Sequence, residues 1–468
     1  MIETWIAKSL NNRTFELKCP KMCICIGTKL DSPLFEGSGR IWISERGQMK
    51  YSMLVRLENP AIVFEWMPHM RVMGQPPKKQ PVCISDYFQV QAYDLNGHSW
   101  ITNWLIPCCS LPLGDHAEIY GDVEHISSYH QKSPSDVKQS AAFVILQAPR
   151  LPFTMTTRTS VFQGERKVRS SWSLNREEIK VDGVSVYFEQ VEGDTGLFCT
   201  ITPSEDRTLP NWASVPLVEA LRFILGHPVY PACYWQEWGD REVTYIEGYS
   251  GAVAKCDFLP PFIPNQSRDY ETVWKIFETY LRYLLGKVHD IAPLSPIGAE
   301  YARMMQASAG SLEGFALALT VGVEAVLKVV EKPDGLPDTR GFSETDLHEL
   351  TRHLNSWKGN VELRKRAGGA VGRLNEISAN EKLRRLENKG IVSKEERKAW
   401  EDLRTKCAHG GRFEDNEIPN SERSLEKVTG LLHKTVLYEI GYAGEFTNYS
   451  REGWPNEEVP WKTDDKDR

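Results

Sequence analysis

Long apolar runs are missing from this 468-residue chain: none reaches the roughly 18 residues that a membrane-crossing helix requires. No bilayer-spanning helix is therefore expected. The first residues, MIETWIAKSLNNRTFELK, carry charge throughout and hold no apolar core segment, so no signal peptide is expected either. Zinc-type spacing is lacking too. Among ten cysteines there is no C-x2-C pair, and no second pair or H-x3-5-H follows at finger spacing. Cys23 and Cys25 instead alternate with Met22, Ile24 and Ile26, where cysteine serves as a small apolar strand residue. Cys108 and Cys109 read the same way, as reduced buried thiols, and no metal is expected. There are no internal repeats and no low-complexity tract.

Net positive charge is also lacking. A balance of -7 argues against a protein coated in basic surface for nucleic acid. The average hides an asymmetry, however. Residues 340–410 hold 16 Lys and Arg against 11 Asp and Glu, while the rest of the chain holds 40 against 52. If the protein touches RNA or DNA, this basic segment is where to look.

What is present divides the chain by period. Up to about residue 205 the pattern alternates with period two, punctuated by turns. RIWISERGQMKYSMLVRL reads as two strands around Arg46-Gly47, and AIVFEWM as a short strand. YFQVQAYDLNGHSWITNWLI reads as a hairpin at Asn96-Gly97, and IKVDGVSVYFEQV repeats the device at Asp182-Gly183. One helix, SVPLVEALRFILGH, interrupts the strands. Beyond the proline-rich DFLPPFIPNQSR the period becomes 3.6. SLEGFALALTVGVEAVLKVV, apolar almost all round, reads as the central helix of a bundle. SKEERKAWEDLRTKCAH has Ser393 and Glu396 in capping-box register, with Trp400, Leu403 and Cys407 as its inner stripe. The expected architecture is α+β and multidomain. An antiparallel β-rich, sandwich-like domain (residues 1–262) precedes an all-α bundle (269–444), and a polar tail, read as mobile, closes the chain (445–468).

WEDLRTKCAHGG places Arg404 five residues before His409 at the end of that capped helix. Chance supplies about two Arg-to-His pairs at such spacings in a chain of this composition. Three occur: Arg222 with His227, Arg282 with His289, and Arg404 with His409. Only the last closes a capped helix inside the basic segment, with two glycines next that let the backbone turn and a phosphate approach. In a regular helix a five-residue step rotates about 140°, so the two side chains diverge unless the helix ends there or a second subunit contributes.

The pair suits metal-free cleavage of RNA. A histidine titrating near neutrality can take the 2′-hydroxyl proton, and an arginine fork can steady charge growing on the phosphate. His409 would be the general base or acid and Arg404 the phosphate clamp. The products would be a 2′,3′-cyclic phosphate and a 5′-hydroxyl, and the 2′-hydroxyl requirement selects RNA. The basic run RKRAGGAVGR (Arg364, Lys365, Arg366, Arg373) is a second RNA-contact candidate; its other reading is a solvated helix face.

DLRTKCAHGG resembles the Arg-x4-6-His signature of HEPN domains, small all-α bundles many of which are metal-independent ribonucleases. FALALTVGVEAVLKVV is similar to the helix of the Apea-like HEPN subgroup that carries an acidic residue, here Glu324. The resemblance covers about residues 270–445, and the β-rich first half suits the Apea-like architecture of bacterial antiviral defence proteins. It implies that Glu324 orients Arg404 through an ion pair. It also implies that Thr405, where many members have Asn, and Lys406 contact RNA. The implied protein is a cytoplasmic homodimeric endoribonuclease without cofactors. It acts in abortive infection, and its N-terminal domain senses a phage-derived trigger. The competing expectation is a non-catalytic recognition protein. Its β domain, through Trp42, Trp66, Trp100, Trp104, Trp172, Trp212, Trp235 and Trp238, would bind carbohydrate or peptide, and its bundle would serve dimerisation or RNA binding.

Overall fold

The computed structural model describes the chain apart from residues 1–5, 7–8, 11, 13, 28–31, 58–65, 67–68, 73–82, 84–85, 111–114, 132–138, 147–150, 164–165, 191–195, 205–208, 210–212, 239, 249–255, 257, 266–268, 288–293, 331–341, 372–373, 375–376, 409, 415 and 462–468, and apart from the side chains of 158–171 and 238. The chain forms two compact units. One comprises residues 1–218 and 229–253, the other 219–228 and 254–468. A large antiparallel sheet followed by a helical region is the expected α+β layout.

In the first unit the described residues contribute sixteen strands, hydrogen-bonded in one continuous order. Every pairing is antiparallel except that of Arg71–Val72 with Cys108–Cys109. Hairpins sit where the turn dipeptides put them. Gly47 and Gly97 have φ of 82° and 83°, and Asp182 and Gly183 have 46° and 77°, the two positive values that a type I′ turn needs. The strand Glu16–Ile26 lies between Phe35–Ile43 and Phe88–Tyr93. Its alternation buries Leu17, Cys19, Met22 and Ile24 in a core shared with Tyr51, Met53, Val90 and Ile119. Cys19, Cys23, Cys25 and Cys109 are buried, and burial pushes the Cys19 thiol up to about 12. AIVFEWM, read as a strand, lies outside the described residues except Trp66 and Trp66's packing on this core.

The second unit starts earlier than the proline-rich boundary suggested. Helix α1 (Ser214–Leu225) gives it Glu219, only 3% exposed. That carboxylate accepts from Tyr280 Oη at 2.8 Å, from the Ser295 amide at 3.0 Å and from the Ser295 hydroxyl. Gly298 makes the room, since a Cβ there would meet the Glu219 carboxylate. α2 (Tyr270–Lys287) buries Val273, Ile276, Phe277, Tyr280, Leu281 and Leu284 at helical spacing, with Leu285 half-buried beside them. α3 (Pro296–Ser308) and α4 (Leu312–Val329) follow, each N-capped by a serine. α5 (Glu344–Ser356) and α6 (Val361–Val371) form an exposed helical pair, and α7 (Ala379–Asn388), α8 (Lys394–Ala408) and α9 (Ile418–Glu439) close the bundle.

The structure revises two sequence readings. α4 is not the central helix: Leu317 and Val321 are 42% and 41% exposed. α9 takes that place, buried continuously from Val428 to Leu437. Residues 445–461 are not a free tail. Glu445–Thr447 pairs with Asn456–Glu458, and Phe446 and Tyr449 are buried. Thr447 Oγ1 accepts from the Ile263 amide at 2.7 Å, and the Trp461 indole donates to the Tyr442 carbonyl at 3.0 Å. Three aromatics in a polar sequence supply the apolar area that holds the segment down. Residues 462–468 lie outside the described residues.

Candidate functional site

The helix that carries Arg404 is fixed at its start by the predicted capping box. Ser393 Oγ accepts from the Glu396 amide at 3.1 Å, and Glu396 Oε2 accepts from the Ser393 amide at 2.7 Å. Glu396 does more than cap. Fully buried, it also receives Lys434 Nζ from α9 at 2.7 Å and the Ser450 hydroxyl from the closing segment. A buried carboxylate is tolerated only with such partners, so the pair locks α8 to α9. Arg397 adds ion pairs to Glu387 at 2.6 Å and Glu401 at 2.9 Å.

Further along α8, two side chains reach α4. The Trp400 indole donates to the Thr320 carbonyl at 3.1 Å. Arg404 Nε meets Glu324 Oε1 at 2.6 Å, with both side chains about one third exposed. A charge-assisted N–H to carboxylate bond of this length holds the guanidinium by one edge. Arg404 and Glu324, far apart in sequence, are therefore joined as the resemblance implied.

Past Arg404 the helix stops at Ala408, and Gly410, with φ of 69°, turns the chain so that its amide returns to the Cys407 carbonyl at 3.1 Å. His409 lies outside the described residues. Around this turn lies a cleft of about 540 Å3, lined by Glu313, Gly314, Leu317, Cys407, Gly410, Gly411 and Arg412. Glu313 accepts from the Phe413 amide at 3.4 Å, and its own amide and that contact hold its carboxyl below the usual range. Burial, reinforced by Glu313, raises the Cys407 thiol, so it is no thiolate at neutral pH. A second cleft, about 400 Å3, is lined by Glu324, Leu327, Lys328, Ile377, Ser378, Ala379 and Lys382.

The remaining predicted contacts are scattered. Thr405 is exposed beside Arg404. Lys406 is engaged by Glu417 at 2.7 Å and lies 4.8 Å from the Phe413 ring centre, which also keeps the Glu417 carboxyl low. Arg364 and Arg366 sit on α6, where Gly368 and Gly369 continue the helix instead of breaking it into a loop. Arg364 caps the preceding helix end through the Trp357 carbonyl at 3.2 Å, Arg366 pairs with Glu362 at 3.4 Å, and Lys365 is exposed. Arg373 lies outside the described residues. Of the aromatics expected to face solvent in the β unit, Trp100 and Trp235 are core residues, and Trp172 is 64% exposed. Among the described residues no group of three His, Cys, Asp or Glu side chains could hold a metal ion, and no helix is long and apolar enough to cross a membrane.

Comparison with known protein families, with curated proteins and with solved structures finds no match to the chain. What the site can do rests on its own geometry. It holds a forked cation fixed at one edge, near a helix end, by a carboxylate that lines a cleft.

Proposed function

We propose that the protein is a metal-independent endoribonuclease of the HEPN type, acting as an antiphage effector in the cytoplasm, with the β unit sensing a trigger. The observation that carries this reading is the Arg404–Glu324 ion pair at 2.6 Å. It occupies one edge of the guanidinium and leaves the other for a phosphate, and Glu324 itself lines a cleft of about 400 Å3. Arg404 would clamp the scissile phosphate, His409 would take the 2′-hydroxyl proton, and Glu324 would hold the clamp in place. The partly uncovered strip of Leu317 and Val321 on α4, beside Glu324 in sequence, supports a homodimer that closes over the site.

The test is cleavage of a short RNA by the purified chain in excess EDTA. Wild type should yield fragments ending in 2′,3′-cyclic phosphate, and a substrate with 2′-deoxyribose at the cut should survive. Arg404→Ala and His409→Ala should both abolish cleavage. Equal cleavage by wild type and both variants would remove these residues from the site.

A further inference from the structure

Helices α5 and α6 form an arm whose far end the candidate site does not use. No residue of α5 is buried, and α6 buries only Val371, the last of its eleven. The arm is therefore anchored at that end, and the turn joining the two helices, residues 357–360, is exposed throughout. The turn is well defined. The Arg364 guanidinium donates to the Asn355 and Trp357 carbonyls at 3.4 and 3.2 Å. Asn360 Oδ1 caps α6, accepting from the Glu362 and Leu363 amides at 2.8 and 3.2 Å. The Trp357 indole lies over Gly359, where any added side chain would meet the ring.

Apolar groups gather at this end. Trp357, Val361 and Leu363 are 45%, 54% and 57% exposed. Large uncovered side chains so close together mark a surface that meets something. Charge is sorted along the arm as well. Residues 351–366 hold Arg352, Lys358, Arg364, Lys365 and Arg366 against Glu362 alone, which pairs with Arg366 at 3.4 Å. Residues 342–350, where α5 begins, hold Glu344, Asp346 and Glu349 and no Lys or Arg.

We propose that the turn end of this arm docks on an anionic lipid bilayer. Arg352 lies five residues before Trp357 and Arg366 three after Leu363. At the helical rise, those cations sit about 5–8 Å behind the apolar groups. Interfacial segments bury their apolar side about 5–10 Å deep, which would set the cations among the charged headgroups. Tryptophan favours the headgroup level, and the Lys358 stem is long enough to carry its charge back to water. The aliphatic pair decides against single-stranded nucleic acid, because a base stacks on a ring and Val361 and Leu363 offer none. The acids where α5 begins turn that end away from a negative surface and the basic end toward it. Docking concerns where the chain sits and needs no cleavage, so it stands whether or not the ribonuclease reading holds.

Sedimentation of the full chain with vesicles tests it, using phosphatidylcholine alone and phosphatidylcholine mixed equally with phosphatidylserine. Wild type should pellet with the mixed vesicles only, and less as salt rises. Val361→Ser with Leu363→Ser should weaken that binding at least tenfold. Lys358→Ser with Lys365→Ser should weaken it about 25-fold, fivefold for each cation. All four side chains are exposed, so the urea midpoint should stay at the wild-type value in both variants. Leu54→Ser with Leu95→Ser, equally exposed but in the β unit, should bind vesicles as wild type does. Failure of wild type to pellet, or undiminished pelleting of the Val361 and Leu363 variant, overturns the proposal. If that variant instead loses affinity for a single-stranded RNA while still pelleting, the arm is an RNA contact. If it turns a dimer into a monomer in sedimentation velocity, the arm is an interface between copies, and the proposal fails in either case.

Discussion

Trp400 and Arg404 lie one helical turn apart on α8, and both are bonded to α4, the first to the Thr320 carbonyl at 3.1 Å and the second to Glu324 at 2.6 Å. The indole bond is buried and the ion pair is not, so the first supplies rigidity and the second direction. Trp400→Phe keeps an aromatic ring and loses the N–H, so the Thr320 carbonyl keeps only its bond within α4. It should cost about 0.5–1.5 kcal/mol in urea unfolding and lower RNA cleavage more than the loss of folded protein explains.

Glu324 separates positioning from folding. Its side chain is partly exposed, so Glu324→Gln should change stability by less than about 1 kcal/mol. Cleavage should nonetheless fall, on the order of ten- to a hundredfold, because the guanidinium loses its fixed edge. Unchanged kcat in that variant would leave the ion pair a surface contact only.

Glu396 should behave in the opposite way. Glu396→Gln strands the buried Lys434 ammonium and should cost about 3–5 kcal/mol. Ser393→Ala, which removes only the cap, should cost about 1 kcal/mol. Chemical denaturation of the two variants in parallel gives the ratio.

His433 gives the second unit a pH dependence. It is fully buried, with Nδ1 on the Tyr301 hydroxyl at 2.9 Å and Nε2 on the Leu259 carbonyl at 3.0 Å. Burial lowers its pKa to about 4, from an ordinary 6.5. As pH falls below 6.5 the unfolded chain takes up a proton that the folded one refuses. Stability is therefore whole above 6.5, drops between 6.5 and 4, and levels off below, a loss of about 3 kcal/mol. His433→Gln should flatten the slope of unfolding free energy between pH 6.5 and 5; an unaltered slope would assign it to the carboxylates.

Local signals were legible and convergent ones were not. Asn96-Gly97, Asp182-Gly183 and the Ser393–Glu396 box are decided within a few residues, and each forms where its chemistry says. The Arg404–Glu324 pair was reachable only through the resemblance, because nothing local says which of many carboxylates an arginine will meet. Glu219, Lys434 and Tyr449 were missed for the same reason: each is polar or lies in polar sequence, and only tertiary partners make its burial affordable.

The closing segment also fixes when the second unit can be finished. Phe446, Tyr449 and Trp461 cover groups laid down far earlier, the Tyr449 hydroxyl reaching the Pro260 carbonyl at 2.5 Å and the Thr447 amide the Pro261 carbonyl at 3.0 Å. Those contacts cannot form until the residues up to Trp461 have left the ribosome. A ribosome stalled within α9 would carry a bundle still open along one side, with the Pro260 and Pro261 carbonyls waiting for partners not yet made.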